Sequence, residues 1–330
     1  MTGSTLLGMG HFLPPRVVTN NDLAGLMETT DEWITQRTGI RERRWIEGDV
    51  GASELAEHAS REALAEAGLE PKDIDLVLFA TLSPDLNFPG SGCLLQARLG
   101  IPGVPAMDIR NQCTGFLYGL KTADAFIRSG MAKHVLLVGA EVHSTGIDVT
   151  TRGRDVAVLF GDGAGAAVVG PTEGESRVID TELHADGRFA EILMVEAPAS
   201  RLNPRLTAEM MAEGRHFPKM DGRSVFKHAV ERLPEVIKSV LAKNGYTLAD
   251  VDVLVPHQAN LRINEMVARQ LGFPAEKIVN NIQKYGNTTA ASIPIALHEA
   301  VQDGRVKKGQ LVLLAGFGAG LTWGATLVRW

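Results

Sequence analysis

Apolar and polar positions along the chain follow a pattern that predicts helices packed against buried strands. In residues 53–67 the apolar side chains recur at helical spacing, and Gly68 follows where a C-terminal cap is expected. The short apolar run of residues 73–80 comes next and is rich in strand-forming side chains. This segment therefore predicts a helix, a turn and a strand buried on both faces.

The same order of elements returns further along the chain. Residues 225–241 again show helical spacing, Gly245 follows, and residues 250–255 predict a second buried strand. Gly68 and Gly245 are 177 residues apart, as are the aspartates that open the two strands. A constant separation across a helix, a turn and a strand indicates an internal duplication.

A second pair of segments supports the duplication. Helical patterns begin at Cys113 and at Asn287, which are 174 residues apart, and each leads to an apolar strand, residues 134–138 and 311–314.

We therefore predict an α/β protein of two pseudo-symmetric halves, residues 1–172 and 173–330, in which helices cover buried strands. No long linker or low-complexity tract separates the two halves.

Composition narrows the class of protein. Apolar residues make up 45% and charged residues 22% of the 330, as in ordinary globular proteins. A net charge of −6 argues against a nucleic-acid-binding surface. Apolar runs such as residues 135–140 are far shorter than the roughly 20 residues that span a bilayer. Two cysteines and no secretory signal fit a cytoplasmic protein without a membrane segment.

Cys113 is the candidate nucleophile. It lies in a polar turn that opens an apolar helix, where the helix dipole and free backbone N–H groups stabilise a thiolate. The alternative is an inert buried cysteine, and Cys93, between a glycine and two leucines, fits that interpretation better.

His257 and Asn287 are candidate partners of this nucleophile. His257 follows a predicted strand directly and has polar neighbours that can fix its tautomer. Asn287 occupies the position equivalent to Cys113 in the second half, although an asparagine there can also simply cap its helix. Because ligands collect at the carboxyl ends of strands in α/β sheets, we expect the three side chains to meet in one pocket.

Two glycine-rich stretches, residues 161–166 and 316–320, follow predicted apolar strands and resemble the start of a dinucleotide fingerprint. Each leads into a strand and not a helix, so the signal for a nucleotide cofactor is weak. We predict strand-to-strand turns, one of which builds an oxyanion hole. No spacing of histidines, cysteines or carboxylates predicts a metal site, and the sequence predicts no cofactor.

These motifs resemble β-ketoacyl-acyl carrier protein synthase III, a family of thiolase-fold condensing enzymes, over essentially the whole chain. The resemblance is carried by the Cys113 turn and by five other segments, residues 31–43, 160–166, 256–263, 286–288 and 322–324. It implies a thiolase-like fold with a layered α/β/α/β/α core. It also implies an acyltransferase of fatty acid or polyketide biosynthesis that condenses acyl-CoA with malonyl-acyl carrier protein.

The resemblance implies a triad of Cys113, His257 and Asn287, with the N–H groups of Cys113 and Ala319 as the oxyanion hole. Ping-pong kinetics through an acyl-cysteine would follow. It further implies a homodimer in which Phe88 shapes the partner's acyl pocket. The residues that it implies for contacts with CoA or the carrier protein are Trp33, Arg37, Asn260, Arg262 and either Arg154 or Arg152.

Some features depart from the family pattern. Residues 201–222 look about a dozen residues longer than usual and carry Met210, Met211 and Met220, which suit a variable apolar wall and a primer longer than acetyl. Three other activities use similar residues: an acyltransferase or head-to-head condensing enzyme of the same fold, a papain-like cysteine protease, and a degradative thiolase. The last needs a second cysteine near the C-terminus, which residues 316–320 lack. A silent carrier-binding paralogue is the non-enzymatic alternative, against which the complete triad argues.

Overall fold

The computed structural model describes residues 3–330. In chain order its strands are β1 Gly3–Phe12, β2 Arg16–Thr19, β3 Glu42–Trp45, β4 Leu76–Ala80, β5 Ala106–Ile109, β6 Val135–Glu141, β7 Gly163–Thr172, β8 Arg177–Ala185, β9 Leu193–Val195, β10 Pro218–Met220, β11 Val253–Pro256, β12 Leu311–Gly318 and β13 Thr322–Arg329.

The α-helices are α1 Asn20–Ala24, α2 Asp31–Thr38, α3 Ala52–Ala67, α4 Ser91–Arg98, α5 Gly115–Arg128, α6 Arg154–Ala157, α7 Ala208–Ala212, α8 Gly222–Lys243, α9 Leu261–Leu271, α10 Ile282–Tyr285 and α11 Ser292–Gln302. Gly68 ends α3 in the left-handed conformation, as its position in the sequence predicts.

Two sheets with matching topology form the framework. The first has the order β1-β7-β6-β4-β5, and the second has the order β8-β13-β12-β11. In both sheets the first two pairings are antiparallel and the third is parallel. Helices α3 and α5 precede β4 and β6, and α8 and α11 precede β11 and β12. The internal duplication read from residue spacing is therefore a real feature of the fold.

The two sheets enclose a central layer of helices. Apolar residues of α5 and α11, such as Leu120 and Leu297, form one core cluster with strand residues from both sheets. A second cluster packs α3 and α4 on the outer face of the first sheet, and a third packs α8 and α9 on the second sheet. The layers therefore follow the expected order α/β/α/β/α, with α5 and α11 in the middle.

Two segments differ from the sequence-based prediction. Strand β4 begins at Leu76, because residues 71–73 form a turn of 3-10 helix whose Asp73 accepts a hydrogen bond from the backbone of Glu70. The apolar segment before Gly161 is not a strand: it begins in the short helix α6 and continues through a turn to Phe160. Its last residues leave helical geometry because the carbonyl of Leu159 accepts the backbone N–H of Asn287, at 2.7 Å.

Cys93 is exposed on α4, so the prediction that it is buried was wrong. Cys93 lies on the outer face of that helix, while Leu95 on the inner face is fully buried. Among residues 3–330, no helix combines the length and apolarity needed to cross a bilayer.

Candidate active site

The two central helices bring Cys113 and Asn287 to one cavity. A single turn of 3-10 helix precedes each of these helices. Cys113 lies within the turn Gln112–Thr114 before α5, and Asn287 lies just before the turn Thr289–Ala291 that leads into α11. His257 follows the last residue of β11. Cys113, His257 and Asn287 all line a central cavity of about 1130 Å³, and each is less than 10% exposed. The convergence expected from the duplication is thus present in the structure.

Asn287 is oriented by its neighbours. Its Oδ1 accepts the backbone N–H of Thr289 at 2.8 Å, and its backbone carbonyl accepts the N–H of Gly161 at 3.1 Å. The amide Nδ2 has no hydrogen-bond partner among residues 3–330. Because Oδ1 is occupied, the group that Asn287 offers to a molecule in the cavity is an N–H donor.

Ser292 positions the His257 ring. The Ser292 Oγ lies 2.6 Å from His257 Nδ1 and also accepts the backbone N–H of Gln258, at 3.3 Å. In the tautomer in which the serine donates to Nδ1, the ring proton lies on Nε2. Nε2 is buried without a partner, and burial lowers the pKa of His257 to about 3. The ring is therefore neutral, and in this tautomer its Nε2–H is a free donor.

Cys113 lies against the end of β12. A Cβ added to Gly318 would lie 2.5 Å from Cys113 Cβ and 2.8 Å from its Sγ, so only glycine fits there. Burial, followed by the charge of Glu141, raises the pKa of the Cys113 thiol to about 12, and the backbone N–H groups of Ala319 and Cys113 lower it only in part. The expected thiolate is thus not the resting form, because desolvation outweighs the N–H groups.

Sequence reasoning missed two buried titratable residues beside the triad. Glu141 accepts hydrogen bonds from Thr81, Leu82 and Ser83 in the first half and from the backbone N–H of Ala290 in the second. Burial raises the pKa of this carboxyl group to about 7.

His143 lines the central cavity, and its Nε2 lies 2.7 Å from Thr289 Oγ1. Burial lowers its pKa to about 3. Both Glu141 and His143 lie at the carboxyl end of β6, so the rule that selected His257 could have found them.

Trp33 lies at the cavity between two arginines. The guanidinium groups of Arg37 and Arg154 each lie 4.6 Å from the centre of its ring. Arg154 also donates to the carbonyl of Glu28 at 2.8 Å. Arg152 points elsewhere and bonds Asp148 at 2.6 Å. Of the two arginines considered for nucleotide contact, the structure brings Arg154, and not Arg152, to Trp33.

The remaining candidates divide into those that line the cavity and those that do not. Ala319, Asn260 and Arg262 line it, and Asn260 Nδ2 donates to the backbone carbonyl of Arg37 at 3.0 Å. Phe88 is 85% exposed and does not line the cavity of its own chain.

Of the three methionines expected in the acyl wall, Met220 lines the cavity, whereas Met210 and Met211 do not. Met210 and Met211 lie on α7, and Met211 is half exposed.

The layered fold and a cavity lined by cysteine, histidine and asparagine define the class of thiolase-fold condensing enzymes. Comparisons with known proteins agree with this class. The family model for 3-oxoacyl-(acyl-carrier-protein) synthase III matches residues 107–187, and the model for its C-terminal region matches residues 241–330. The chain belongs to the 3-oxoacyl-(acyl-carrier-protein) synthase III family and is an acyltransferase.

Individual relatives show how far the similarity extends. The chain is 46% identical to the β-ketoacyl-(acyl-carrier-protein) synthase III of Aquifex aeolicus, over 99% of this chain and 100% of that protein. The crystal structure of the Aquifex aeolicus enzyme superposes with a TM-score of 0.91 at 45% identity, over 99% of this chain and 100% of that one.

The priming β-ketosynthase of the R1128 polyketide pathway superposes with a TM-score of 0.89 at 34% identity, over 98% and 96% of the two chains. Membership in this family excludes the cysteine-protease and degradative-thiolase alternatives.

Proposed function

We propose that the protein transfers an acyl group from acyl-CoA to Cys113 and then condenses it with malonyl-acyl carrier protein. CoA leaves in the first step, and CO₂ leaves in the second, which gives a 3-oxoacyl-acyl carrier protein. The observation that carries the proposal is that a buried thiol and two outward-facing N–H donors line one cavity. Relatives that cover the full chain carry the name of this activity.

In the acylation step the Cys113 sulfur attacks the thioester carbonyl, and the CoA thiol leaves with the cysteine proton. The N–H groups of Cys113 and Ala319, which lower the pKa of the thiol in part, are placed to bind the oxyanion. The resting thiol is neutral, so the enzyme does not bury an unpaired charge before the primer binds.

In the condensation step the malonyl thioester loses CO₂, and its electrons move to the thioester carbonyl oxygen. His257 Nε2–H and Asn287 Nδ2–H donate hydrogen bonds to that oxygen and stabilise the enolate. The enolate carbon then attacks the acyl carbon on Cys113, the carbon–sulfur bond breaks, and the departing thiolate takes one proton from solvent to regenerate the thiol. A neutral imidazole suits this role because its N–H donates without giving up the proton.

We place the entrance for both substrates at Trp33 and Arg262. The indole ring and the Arg154 guanidinium are both flat and 4.6 Å apart, so an adenine ring can stack on the indole once the guanidinium moves aside by about 2 Å. Arg37 and Arg262 put positive charge at the mouth, where a phosphopantetheine group or an acidic carrier protein would bind.

We infer that two copies form a dimer through the edge of the first sheet. Strand β5 is one of the two edge strands of this sheet, and unpaired edges are templates for strand addition. Near it, Leu86, Phe88 and Met107 are exposed apolar side chains, at 51%, 85% and 39%. A partner would cover them and would receive Phe88 in its own acyl pocket. Loss of the dimer in a Met107→Glu variant, measured by light scattering, tests this arrangement.

The primer that we propose is longer than acetyl. Strands β9 and β10 and helix α8 add a wall of apolar side chains to the central cavity, among them Leu193, Met194, Met220 and Phe226. Each methylene group of the primer that this wall removes from water stabilises the bound primer. We therefore expect kcat/KM to rise with chain length beyond acetyl-CoA before it falls.

The test uses a panel of acyl-CoAs, with mass spectrometry of Cys113 followed by addition of malonyl-acyl carrier protein. Wild-type protein should gain the acyl mass and then form the 3-oxoacyl product. Cys113→Ser should gain no acyl mass, whereas His257→Ala should be acylated but should not condense. Acylation of a residue other than Cys113, or full condensation by His257→Ala, would refute the assigned roles.

A further inference from the structure

Three polar side chains far from the central cavity converge on one point. His11 at the end of β1, Glu62 on α3 and His298 on α11 bring two imidazole nitrogens and a carboxylate oxygen within 4.8 Å of one another. The two Nδ1 atoms are 2.8 Å apart. No sequence spacing signals this cluster, because its members come from separate elements. From this geometry we propose that the three residues bind a divalent transition metal ion of the Zn²⁺ type.

The donor set matches what such an ion binds. Two neutral imidazoles and a carboxylate are common Zn²⁺ ligands, and a fourth position remains for water. Nitrogens about 2.1 Å from a tetrahedral ion lie about 3.4 Å apart, so the rings need to separate by about half an ångström. His298 is 2% exposed and fixed, whereas His11 is half-buried and is the ring that moves.

The surrounding charges favour a cation. The carboxylates of Glu62 and Glu299 both act on His11, and Glu66 Oε2 lies 3.9 Å from His298 Nε2. Glu62 is exposed, so an ion can enter from solvent.

Metal binding moves one proton of His298, and neighbouring side chains can accept it. Gln302 Nε2 lies 3.1 Å from His298 Nε2 and donates to it, so the proton of His298 is on Nδ1, shared with His11. Metal binding to both Nδ1 atoms moves this proton to His298 Nε2. There it faces Glu66 and, after rotation of the amide, the Gln302 carbonyl oxygen. A histidine ligand that donates its other N–H to a neighbouring acceptor is the usual arrangement at metal sites.

The experiment titrates tag-free, EDTA-treated full-length protein with Zn²⁺ and with Co²⁺ by calorimetry and visible absorption. Wild-type protein should bind one equivalent, and the cobalt form should lack a sulfur-to-cobalt charge-transfer band. Glu62→Gln should weaken binding at least tenfold and His11→Gln at least a hundredfold, with unchanged circular dichroism and unchanged acylation of Cys113.

Two controls separate this site from other ligands. His184→Gln removes a partly exposed histidine on the other sheet and should bind metal as the wild type does. The double variant Cys93→Ser, Cys113→Ser should also bind one equivalent of the metal ion. Equal affinity in wild type and His11→Gln, or loss of the equivalent with the two cysteines, would overturn the proposal. Neither result would affect the proposed condensation.

Discussion

Ser292 Oγ lies 2.6 Å from His257 Nδ1, within hydrogen-bond distance. The two residues come from different elements, the start of α11 and the end of β11. A serine hydroxyl that donates to Nδ1 leaves the ring proton on Nε2, so this side chain can hold Nε2 as a donor toward the central cavity.

Ser292→Ala should slow condensation and leave acylation of Cys113 nearly unchanged. Without the hydroxyl group, Nδ1 can hold the proton and Nε2 loses its donor character, so we expect a drop of about 10–100-fold in the condensation rate. Single-turnover measurements of each half-reaction check this.

Ser60→Ala is the matched control, because Ser60 is also fully buried but its Oγ has no partner. An equal fall of both half-reactions in Ser292→Ala would mean that the serine is only structural.

The reactivity of the Cys113 thiol should report its raised pKa. With a pKa of about 12 in the empty enzyme, the thiolate fraction rises about tenfold per pH unit between about pH 7 and 10. The rate of alkylation by iodoacetamide, measured in a Cys93→Ser background because Cys93 is exposed, should follow that rise without a plateau. A plateau near neutral pH would show that the resting enzyme holds a thiolate.

The Glu141 carboxylate should account for part of that shift. Glu141→Gln removes a buried negative charge that raises the pKa of Cys113. Alkylation at a fixed pH should become faster, by about tenfold for each pKa unit recovered. The same iodoacetamide reaction measures this rate. An unchanged rate would show that burial alone sets the pKa of Cys113.

Gly318→Ala should inactivate the enzyme without unfolding it. The added methyl group would lie 2.5 Å from Cys113 Cβ, so the sulfur must move away from the oxyanion donors. A shift of about 1 Å costs about 100-fold in rate, which acyl-CoA labelling of Cys113 would measure. Gly187→Ala is the control, because a Cβ at Gly187 meets no atom within 4 Å. Normal labelling of Gly318→Ala would contradict the close packing described here.

Stability should fall as the pH drops below about 6.5. Burial lowers the pKa of His143 and of His257 to about 3. Between about pH 6.5 and 3 these histidines therefore bind protons in the unfolded chain but not in the folded chain. Each such histidine costs about 1.4 kcal/mol per pH unit over this range. Glu141, whose pKa is raised to about 7, acts in the opposite direction between about pH 4.5 and 7, and offsets only one of the two.

His143→Gln should therefore reduce the slope of unfolding free energy against pH by about 1.4 kcal/mol per unit between about pH 6 and 4. Urea unfolding at several pH values measures this slope. Ser60→Ala again serves as the control, because it removes no titrating group. A slope unchanged by His143→Gln would mean that the histidine titrates normally in the folded protein.

Residue spacing predicted the duplicated α/β framework because buried helices and strands carry strong periodic patterns. Residue spacing also predicted that Cys113, His257 and Asn287 lie together, because equivalent helix starts and strand ends of the two halves lie at the same edge of the sheets. Family resemblance added the roles, which spacing alone could not supply.

Other features lay beyond the sequence because they depend on distance and burial. Nothing in the local pattern around Arg152 and Arg154 indicates that only the second reaches Trp33. Desolvation reversed the expected effect of the helix N-terminus on Cys113, and burial is a property of the whole fold. The contact of His11 with His298 joins positions 287 residues apart, which no motif search connects.

Several bonds fasten the reactive groups of one half to those of the other, among them the Glu141 contact with Ala290 and the backbone pairing of Phe160 with Asn287. The apolar core to which both sheets contribute is built on α5 and α11, the helices that begin at this seam. Because one core supports both the fold and the alignment of the reactive groups, substitutions that loosen it should lower activity and the free energy of unfolding together.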